Sequence, residues 1–135
     1  MITFTVHIKP MGAVRTTQRG KWTNEAYQRY QTYKKVISLE ARKHVREPIE
    51  GAVIIQVDSY HPIPSRLLKA EKIEARAGKT RPTSKPDVDN IAKGVMDSLN
   101  KLVWKDDNQV IGLTANKYYS DDPRIEITVE EVEVA

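Results

Sequence analysis

The chain of 135 residues has no cysteine and no long apolar run. The absence of cysteine excludes disulfides, thiolate metal sites and cysteine nucleophiles, and it fits a reducing cytoplasm. Without an apolar run or a signal-peptide pattern, neither a membrane span nor export is predicted. Charged residues make up 30% and apolar residues 39%, which is typical of a globular protein rather than a disordered one.

Positive and negative charges are divided unevenly along the chain. Residues 1–85 carry 17 Lys and Arg against 7 Asp and Glu, whereas residues 86–135 carry 5 against 11. A basic region suits the phosphates of a nucleic acid and an acidic region suits cations, and a metal-dependent nuclease needs both. An unevenly charged, solvated surface without such a role would show the same asymmetry.

Hydrophobic periodicity and chain breakers predict four strands and three helices. The strands cover residues 2–8, 52–58, 110–119 and 124–134, and the helices cover residues 24–45, 66–76 and 90–102. This order predicts an α+β fold: one domain over residues 1–135, with a mixed sheet of about four strands and two long helices packed against it.

A cluster of acids lies between residue 86 and the start of the third predicted strand. Asp87 and Asp89 are two residues apart, and Asp106 and Asp107 follow in a turn after the next helix. Crowded carboxylates repel one another unless a cation lies between them, and hard oxygen ligands suit Mg²⁺ or Mn²⁺. In a basic chain, this cluster favours hydrolysis of phosphodiesters in nucleic acid.

Each residue of this cluster also has an ordinary structural interpretation. Asp89 suits the N-cap of the helix, and Asp106 and Asp107 suit a polar turn. Lys93 could form a surface salt bridge with Asp89 or Asp97. If the turn folds back beside the start of the helix, however, Asp87, Asp89 and Asp107 can share one metal ion.

Two other kinds of metal site do not fit the sequence. An EF-hand would need Gly and Glu where the chain has Ala92 and Ser98. The three histidines are far apart in sequence, which argues against a zinc site. A Ser-His-Asp triad stays open, although no nucleophile elbow marks one.

The spacing of these residues resembles that of the RusA family of Holliday junction resolvases. The resemblance covers residues 84–112 closely: Lys-Pro-Asp87-Val-Asp89-Asn followed by Lys93, then Asp97-x-Leu-Asn, then Trp104-x-Asp-Asp107-x-Gln-Val. A looser likeness links the first strand, the basic loop and the Tyr-rich helix. The close resemblance in residues 84–112 implies that Asp87 and Asp89 are the family's catalytic pair. It also implies that Asp107 is the family's third essential acid and that Lys93 is its active-site lysine. Asp97 and Asp106 occupy further acidic positions of the pattern, and Asp106 is a fourth candidate metal ligand beside Asp87, Asp89 and Asp107.

The resemblance also implies the reaction and its partners. A Mg²⁺-dependent homodimer, in which Mn²⁺ can substitute, would resolve four-way DNA junctions by paired symmetric nicks that leave a 5′ phosphate and a 3′ hydroxyl. Such proteins are cytoplasmic in a bacterial host and are often encoded by phages or prophages. We expect basic side chains outside the motif to contact the DNA backbone: Arg15, Arg19, Lys21, Lys79, Arg81 and Lys85.

Three other functions are compatible with the sequence. The same residues would serve a metal-dependent nuclease for other branched DNA, such as flaps or forks. A DNA-binding protein without catalysis, or a phage assembly protein, would use the acids only for capping and turns.

Overall fold

The computed structural model describes residues 1–133, so Val134, the last residue of the predicted fourth strand, lies outside it. Within this range the chain forms four strands, four α-helices and one 3₁₀ turn. In chain order they are β1 (Ile2–Val6), α1 (Gly20–Thr23), α2 (Glu25–Arg42), β2 (Ala52–Pro62), α3 (Lys69–Arg76), α4 (Val88–Leu99), the 3₁₀ turn (Asp107–Gln109), β3 (Val110–Ser120) and β4 (Arg124–Val132). None of these helices is long and apolar enough to cross a membrane.

The four strands form one mixed sheet in the order β1-β4-β2-β3. Strand β4 runs antiparallel to both of its neighbours, whereas β2 and β3 run parallel. Although β3 and β4 are joined by a short turn, β2 lies between them. Its end pairs with both, Tyr60 with Arg124 and Pro62 with Ser120. The predicted mixed sheet with helices packed against it is therefore confirmed.

One face of the sheet forms the core against α2 and α4. Alternate residues of β2, including Val53, Ile55 and Val57, are buried on that face, as the period of two in a strand requires. Helix α2 buries a stripe of residues spaced by three or four: Tyr30, Tyr33, Ile37 and Ala41. Helix α4 buries its apolar face in the same core, so the position of α4 on the sheet is fixed by packing.

Several element boundaries differ from the predicted ones, each for a local reason. Helix α4 begins at Val88 rather than at residue 90, and it ends at Leu99 because the next residue, Asn100, is extended. Helix α3 begins at Lys69 rather than at residue 66, since the Glu71 carboxylate accepts a hydrogen bond from the Leu68 N–H. Strand β2 continues to Pro62, at the end of the strand, where a missing N–H is tolerated.

Candidate active site

Asp87 and Asp89 lie at the start of α4, and both are exposed. Asp87, rather than Asp89, is the N-cap residue, because its carbonyl oxygen accepts the first helical hydrogen bond from the Ile91 N–H at 3.0 Å. The Asp87 side chain makes no capping hydrogen bond. Asp89 follows in the first turn, where the helix dipole favours a negative charge. Two carboxylates thus lie at one helix end, and Asp87 occupies the N-cap position that the ordinary structural interpretation gave to Asp89.

Asn90 ties the N-terminal segment to this end of α4. Its side-chain amide donates to the Ala13 carbonyl oxygen at 3.1 Å, and its own carbonyl accepts from the Ala13 N–H at 3.2 Å. Gly12 permits this approach, since a Cβ there would lie 2.5 Å from Asn90 Nδ2. The chain at Ala13, two residues before Arg15, is therefore held against the first turn of α4. No pattern in the sequence indicated this role for Asn90.

Lys117 on β3 holds the segment that leads into α4. Its half-buried side chain donates to the Ser84 carbonyl oxygen at 2.6 Å and to the Pro86 carbonyl oxygen at 2.7 Å. Arg81 anchors the same loop: its Nε donates to the Lys117 carbonyl oxygen at 2.8 Å, and its guanidinium lies 4.4 Å from the centre of the Tyr118 ring. Lys117 was missed from the sequence because its partners are backbone atoms more than thirty residues away.

Lys93 lies one turn into α4 and pairs with Asp97 rather than with Asp89. Its Nζ is 3.7 Å from Asp97 Oδ1, and the Tyr30 hydroxyl donates to Asp97 Oδ2 at 3.0 Å. Burial, and then the hydrogen bond to Asp97, raise the pKa of the Tyr30 hydroxyl, which stays protonated as a donor. Asp97 therefore links Lys93 to the core, and the Lys93 ammonium is half-exposed on the surface that carries Asp89.

Asp107 lies beyond the other end of α4. Its Oδ1 accepts a hydrogen bond from the buried Trp104 indole at 2.9 Å, and the Trp104 backbone forms a β-bridge with Asn100, the residue that ends α4. Asp106 caps the 3₁₀ turn through the Asp107 N–H. The Gln109 side chain closes the turn by accepting from the Asp106 N–H at 2.8 Å. It also attaches the turn to the segment before β2 by donating to the Ile49 and Gly51 carbonyl oxygens at 2.8 Å each.

The predicted acids thus fall into two groups within one chain. Helix α4 has 12 residues, and at about 1.5 Å per residue its ends are about 18 Å apart. Asp87 and Asp89 are at one end and Asp106 and Asp107 are at the other. Among residues 1–133, no three His, Cys, Asp or Glu side chains are close enough to hold a metal ion together. Within a single chain, the turn therefore does not fold back to bring Asp107 beside Asp87 and Asp89, which a metal site shared by these three residues needs.

The basic residues predicted to bind DNA are exposed, and they lie on two segments. Arg15 lies in the N-terminal loop, and Arg19 and Lys21 lie at α1. Lys79, Arg81 and Lys85 lie in the loop before α4, where Lys79 is 4.0 Å from Glu74. Of these six side chains, Arg81 is the one held firmly by the protein, through the contacts with β3 described above.

His61 is the buried histidine of β2, close to the start of α4. It is 7% exposed, and its Nε2 is 2.9 Å from Ser59 Oγ. Burial, together with the positive charges of Lys117 and Lys9, lowers the pKa of His61 from its usual 6.5 to about 4. His61 is consequently neutral near pH 7, and it packs inside the fold next to the loop that Lys117 holds.

Comparison with known proteins identifies the family. Residues 7–130 match the family model described as Endodeoxyribonuclease RusA, so the chain belongs to the RusA family of endodeoxyribonucleases, as its motif indicated. The chain is 39% identical to the uncharacterized protein YqaN of Bacillus subtilis (strain 168), in an alignment covering 97% of this chain and 96% of that protein. A stretch of 51 residues is 43% identical to the crossover junction endodeoxyribonuclease rusA of Lactococcus phage r1t, covering 37% of this chain and 39% of the phage protein.

Proposed function

We propose that the chain is a crossover junction endodeoxyribonuclease that uses Mg²⁺, or Mn²⁺ in its place, to resolve four-way DNA junctions in recombination and repair. Membership of the RusA family and the name of the phage relative support this function. The observation that carries it is the pair of exposed carboxylates at the start of α4, where the Asp87 side chain makes no capping bond. The phage relative also favours a phage or prophage origin in a bacterial cytoplasm.

The donor atoms at this end of α4 fit a Mg²⁺ ion. Mg²⁺ prefers hard oxygen ligands and is usually bound by one or two carboxylates, with waters and substrate phosphate completing its shell. Asp87 at the N-cap and Asp89 in the first turn of α4 supply two such carboxylates, and both residues are exposed. When bound, the metal would activate a water and offset the negative charge of the scissile phosphate.

The side chains of the chain itself would align the phosphodiester for in-line attack. Asp87 and Asp89 would hold the ion beside the scissile phosphate. As a water oxygen adds to phosphorus, the P–O3′ bond breaks and the 3′ oxygen takes up a proton from water. Lys93, held by Asp97 at 3.7 Å, would donate to a phosphate oxygen and stabilise charge that develops there. The products are a 5′ phosphate and a 3′ hydroxyl, which a ligase can reseal.

Basic side chains around this end would hold the DNA backbone. Arg15 follows Ala13 by two residues, and Asn90 holds Ala13 against the first turn of α4. Lys85 directly precedes Pro86, next to the N-cap residue Asp87. Such contacts fix the position of the duplex arms without reading bases, and they make binding weaken steeply with added salt. Since Arg81 is engaged by β3, we assign it to anchoring the loop more than to the phosphates.

A homodimer would explain both the symmetric substrate and the distant third acid. A four-way junction has two-fold symmetry, so two sites related by the same symmetry can make matched nicks. Within one chain, the length of α4, about 18 Å, separates Asp107 from the Asp87 pair. We therefore propose that each site joins Asp87 and Asp89 of one protomer to Asp107 of its partner.

The test compares wild type with Asp87→Asn on a labelled synthetic four-way junction in Mg²⁺. We expect paired, ligatable nicks from wild type. Cleavage by Asp87→Asn should fall at least about a hundredfold, because a lost metal ligand removes several kcal/mol of transition-state stabilisation. Junction binding without metal should be retained. Asp122→Asn, an exposed aspartate in the turn before β4, is the matched control and should cleave normally.

The substrate panel separates the alternatives. Faster cleavage of flaps or forks than of four-way junctions would indicate a nuclease for other branched DNA. Binding without cleavage by any variant, in Mg²⁺ and in Mn²⁺, would contradict the enzymatic function and favour a DNA-binding or assembly protein.

A further inference from the structure

The start of α4 is held from outside the helix by one lysine. Lys117 Nζ donates to the Ser84 and Pro86 carbonyl oxygens at 2.6 and 2.7 Å, so two of the three ammonium protons are committed to backbone atoms. Hydrogen bonds from a charged donor are shorter and stronger than neutral ones. Lys117 is thus a specific attachment of the loop to β3, and it is half-buried.

The two carbonyls lie immediately before the candidate metal ligands. The Pro86 carbonyl belongs to the peptide group that leads into Asp87, and the Asp87 carbonyl in turn accepts the first hydrogen bond of α4. Fixing the Pro86 carbonyl therefore fixes the direction in which the Asp87 side chain leaves the backbone. Because Asp87 makes no capping bond of its own, no other side-chain contact of this residue replaces that constraint.

Lys117 is itself held rigidly. It lies within β3, where it pairs with Ser59 of β2, and its carbonyl oxygen accepts from Arg81 Nε at 2.8 Å. The neighbouring Asn116 accepts from the same guanidinium at 3.3 Å. The loop is therefore attached to β3 at two points, by Arg81 at its middle and by Lys117 at its end.

We propose that Lys117 is a positioning residue for metal binding, which orients Asp87 and Asp89 so that both can ligate one divalent ion. This inference rests on the proposed function. It requires no contact between Lys117 and either metal or DNA, since the ammonium acts through the backbone of residues 84–87. Residues that orient the ligands of a metal typically change its affinity by 10- to 100-fold when they are mutated.

The experiment compares Lys117→Met, which keeps the length of the side chain but removes its charge, with Lys117→Arg, which keeps charge and donors. Lys43→Met, which removes an exposed lysine after the end of α2, is the matched control. Three quantities are measured: Mg²⁺ affinity by calorimetry without DNA, the Mg²⁺ concentration for half-maximal junction cleavage, and metal-free junction affinity. Hydrogen exchange of the amides of residues 87–92 reports the order of the helix start.

We expect Lys117→Met to weaken Mg²⁺ binding at least about tenfold and to raise the Mg²⁺ requirement equally. Amide exchange of residues 87–92 should become faster, while metal-free junction affinity stays unchanged. Lys117→Arg should recover most of the Mg²⁺ affinity, and Lys43→Met should match wild type. If Lys117→Met does not fold, Lys117→Gln, which can still donate to one carbonyl, should show a smaller loss in the same direction.

Three results would overturn the inference. Unchanged Mg²⁺ affinity with a lower melting temperature would make Lys117 a structural residue only. Weaker metal-free junction binding with an unchanged Mg²⁺ requirement would make it a DNA contact. If Lys117→Arg lost as much Mg²⁺ affinity as Lys117→Met, hydrogen bonds from residue 117 to the Ser84 and Pro86 carbonyl oxygens would not be what supports metal binding. If wild type cleaves no branched DNA, the proposed function fails, and calorimetry and amide exchange still decide the role of Lys117.

Discussion

Aspartates lie near both ends of α4, but their side chains make different contacts at the two ends. At the start, the Asp87 carboxylate makes no capping hydrogen bond, and the surrounding polar contacts run between backbone atoms and Lys117, Asn90 or Arg81. Beyond the other end, Asp106 caps a 3₁₀ turn and Asp107 accepts from the Trp104 indole. One pair of acids is held through its backbone and the other through its side chains.

This difference separates acids that shape the fold from acids that remain available to a ligand. A carboxylate already hydrogen-bonded to its own turn, such as that of Asp106, has an ordinary structural purpose. Asp107 has one oxygen fixed by Trp104, which orients the other. Asp87 and Asp89 are exposed at a helix start, and the Asp87 side chain makes no capping hydrogen bond. They are therefore the best candidates for metal ligands.

The largest expected effect tests whether the two ends of α4 meet across a dimer. Asp87→Asn and Asp107→Asn should each lower the rate of cleavage at least about a hundredfold. A mixed dimer of the two variants, co-expressed and purified through two different tags, should recover single-strand nicking. In that dimer one site receives both substitutions and the other receives neither.

The mixed dimer also has a clear negative result. If Asp107 acts on the Asp87 pair of its own chain, both sites carry one substitution and no nicking returns. A tagged mixed dimer of wild type with Asp87→Asn is the control, and it should nick one strand under either arrangement.

A second prediction concerns the stability of the protein in acid, which depends on the buried His61 beside the segment that leads into α4. Folding lowers the pKa of His61 from 6.5 to about 4, so the unfolded chain binds more protons between these values. Stability should therefore be fully present above about pH 6.5 and should fall as the pH drops toward 4, by about 3 kcal/mol from this group. Urea unfolding at several pH values measures the slope, and His61→Gln should flatten it.

The matched control for this titration is His7→Gln, because His7 is an exposed histidine with 68% of its side-chain surface accessible. The His7→Gln protein should keep the slope of wild type. An equal slope in wild type and His61→Gln would mean that other groups cause the loss of stability in acid.

The smallest expected effect separates Asp106 from Asp107. Asp106→Asn keeps an oxygen that can accept the Asp107 N–H, so cleavage should stay within about threefold of wild type and stability should change by less than about 1 kcal/mol. Junction cleavage and thermal unfolding of the two single variants measure the contrast. A hundredfold loss in Asp106→Asn would instead identify Asp106 as the catalytic acid of the pair.

The sequence predicted the parts of this molecule whose causes are local. Local periodicity and composition predicted a helix over residues 24–45 and a strand over residues 52–58, and the structure has α2 and β2 there. The family was predicted from a dense motif in residues 84–112, and the comparison confirmed it. The start of α4 was misplaced by two residues, since Asp87 and Asp89 are both good N-cap residues.

Contacts between distant segments were beyond the reach of the sequence. Lys117 binds carbonyl oxygens, which every residue possesses, so no pattern of side chains announces it. Asn90 likewise appears in the motif without a reason until Ala13 is seen against it. The separation of Asp107 from Asp87 depends on which end of α4 faces the start of β3, and that depends on the whole sheet.

The position of β4 in the sheet has a consequence for how the chain folds. It is the last of the four strands in chain order, yet it pairs with both β1 and β2. During synthesis, β1 must therefore wait for a partner more than a hundred residues later, and such distant pairings make folding slow. A chain that stops before residue 124 leaves β1 unpaired and exposes an edge of β2, so we expect truncated products to aggregate rather than to bind DNA.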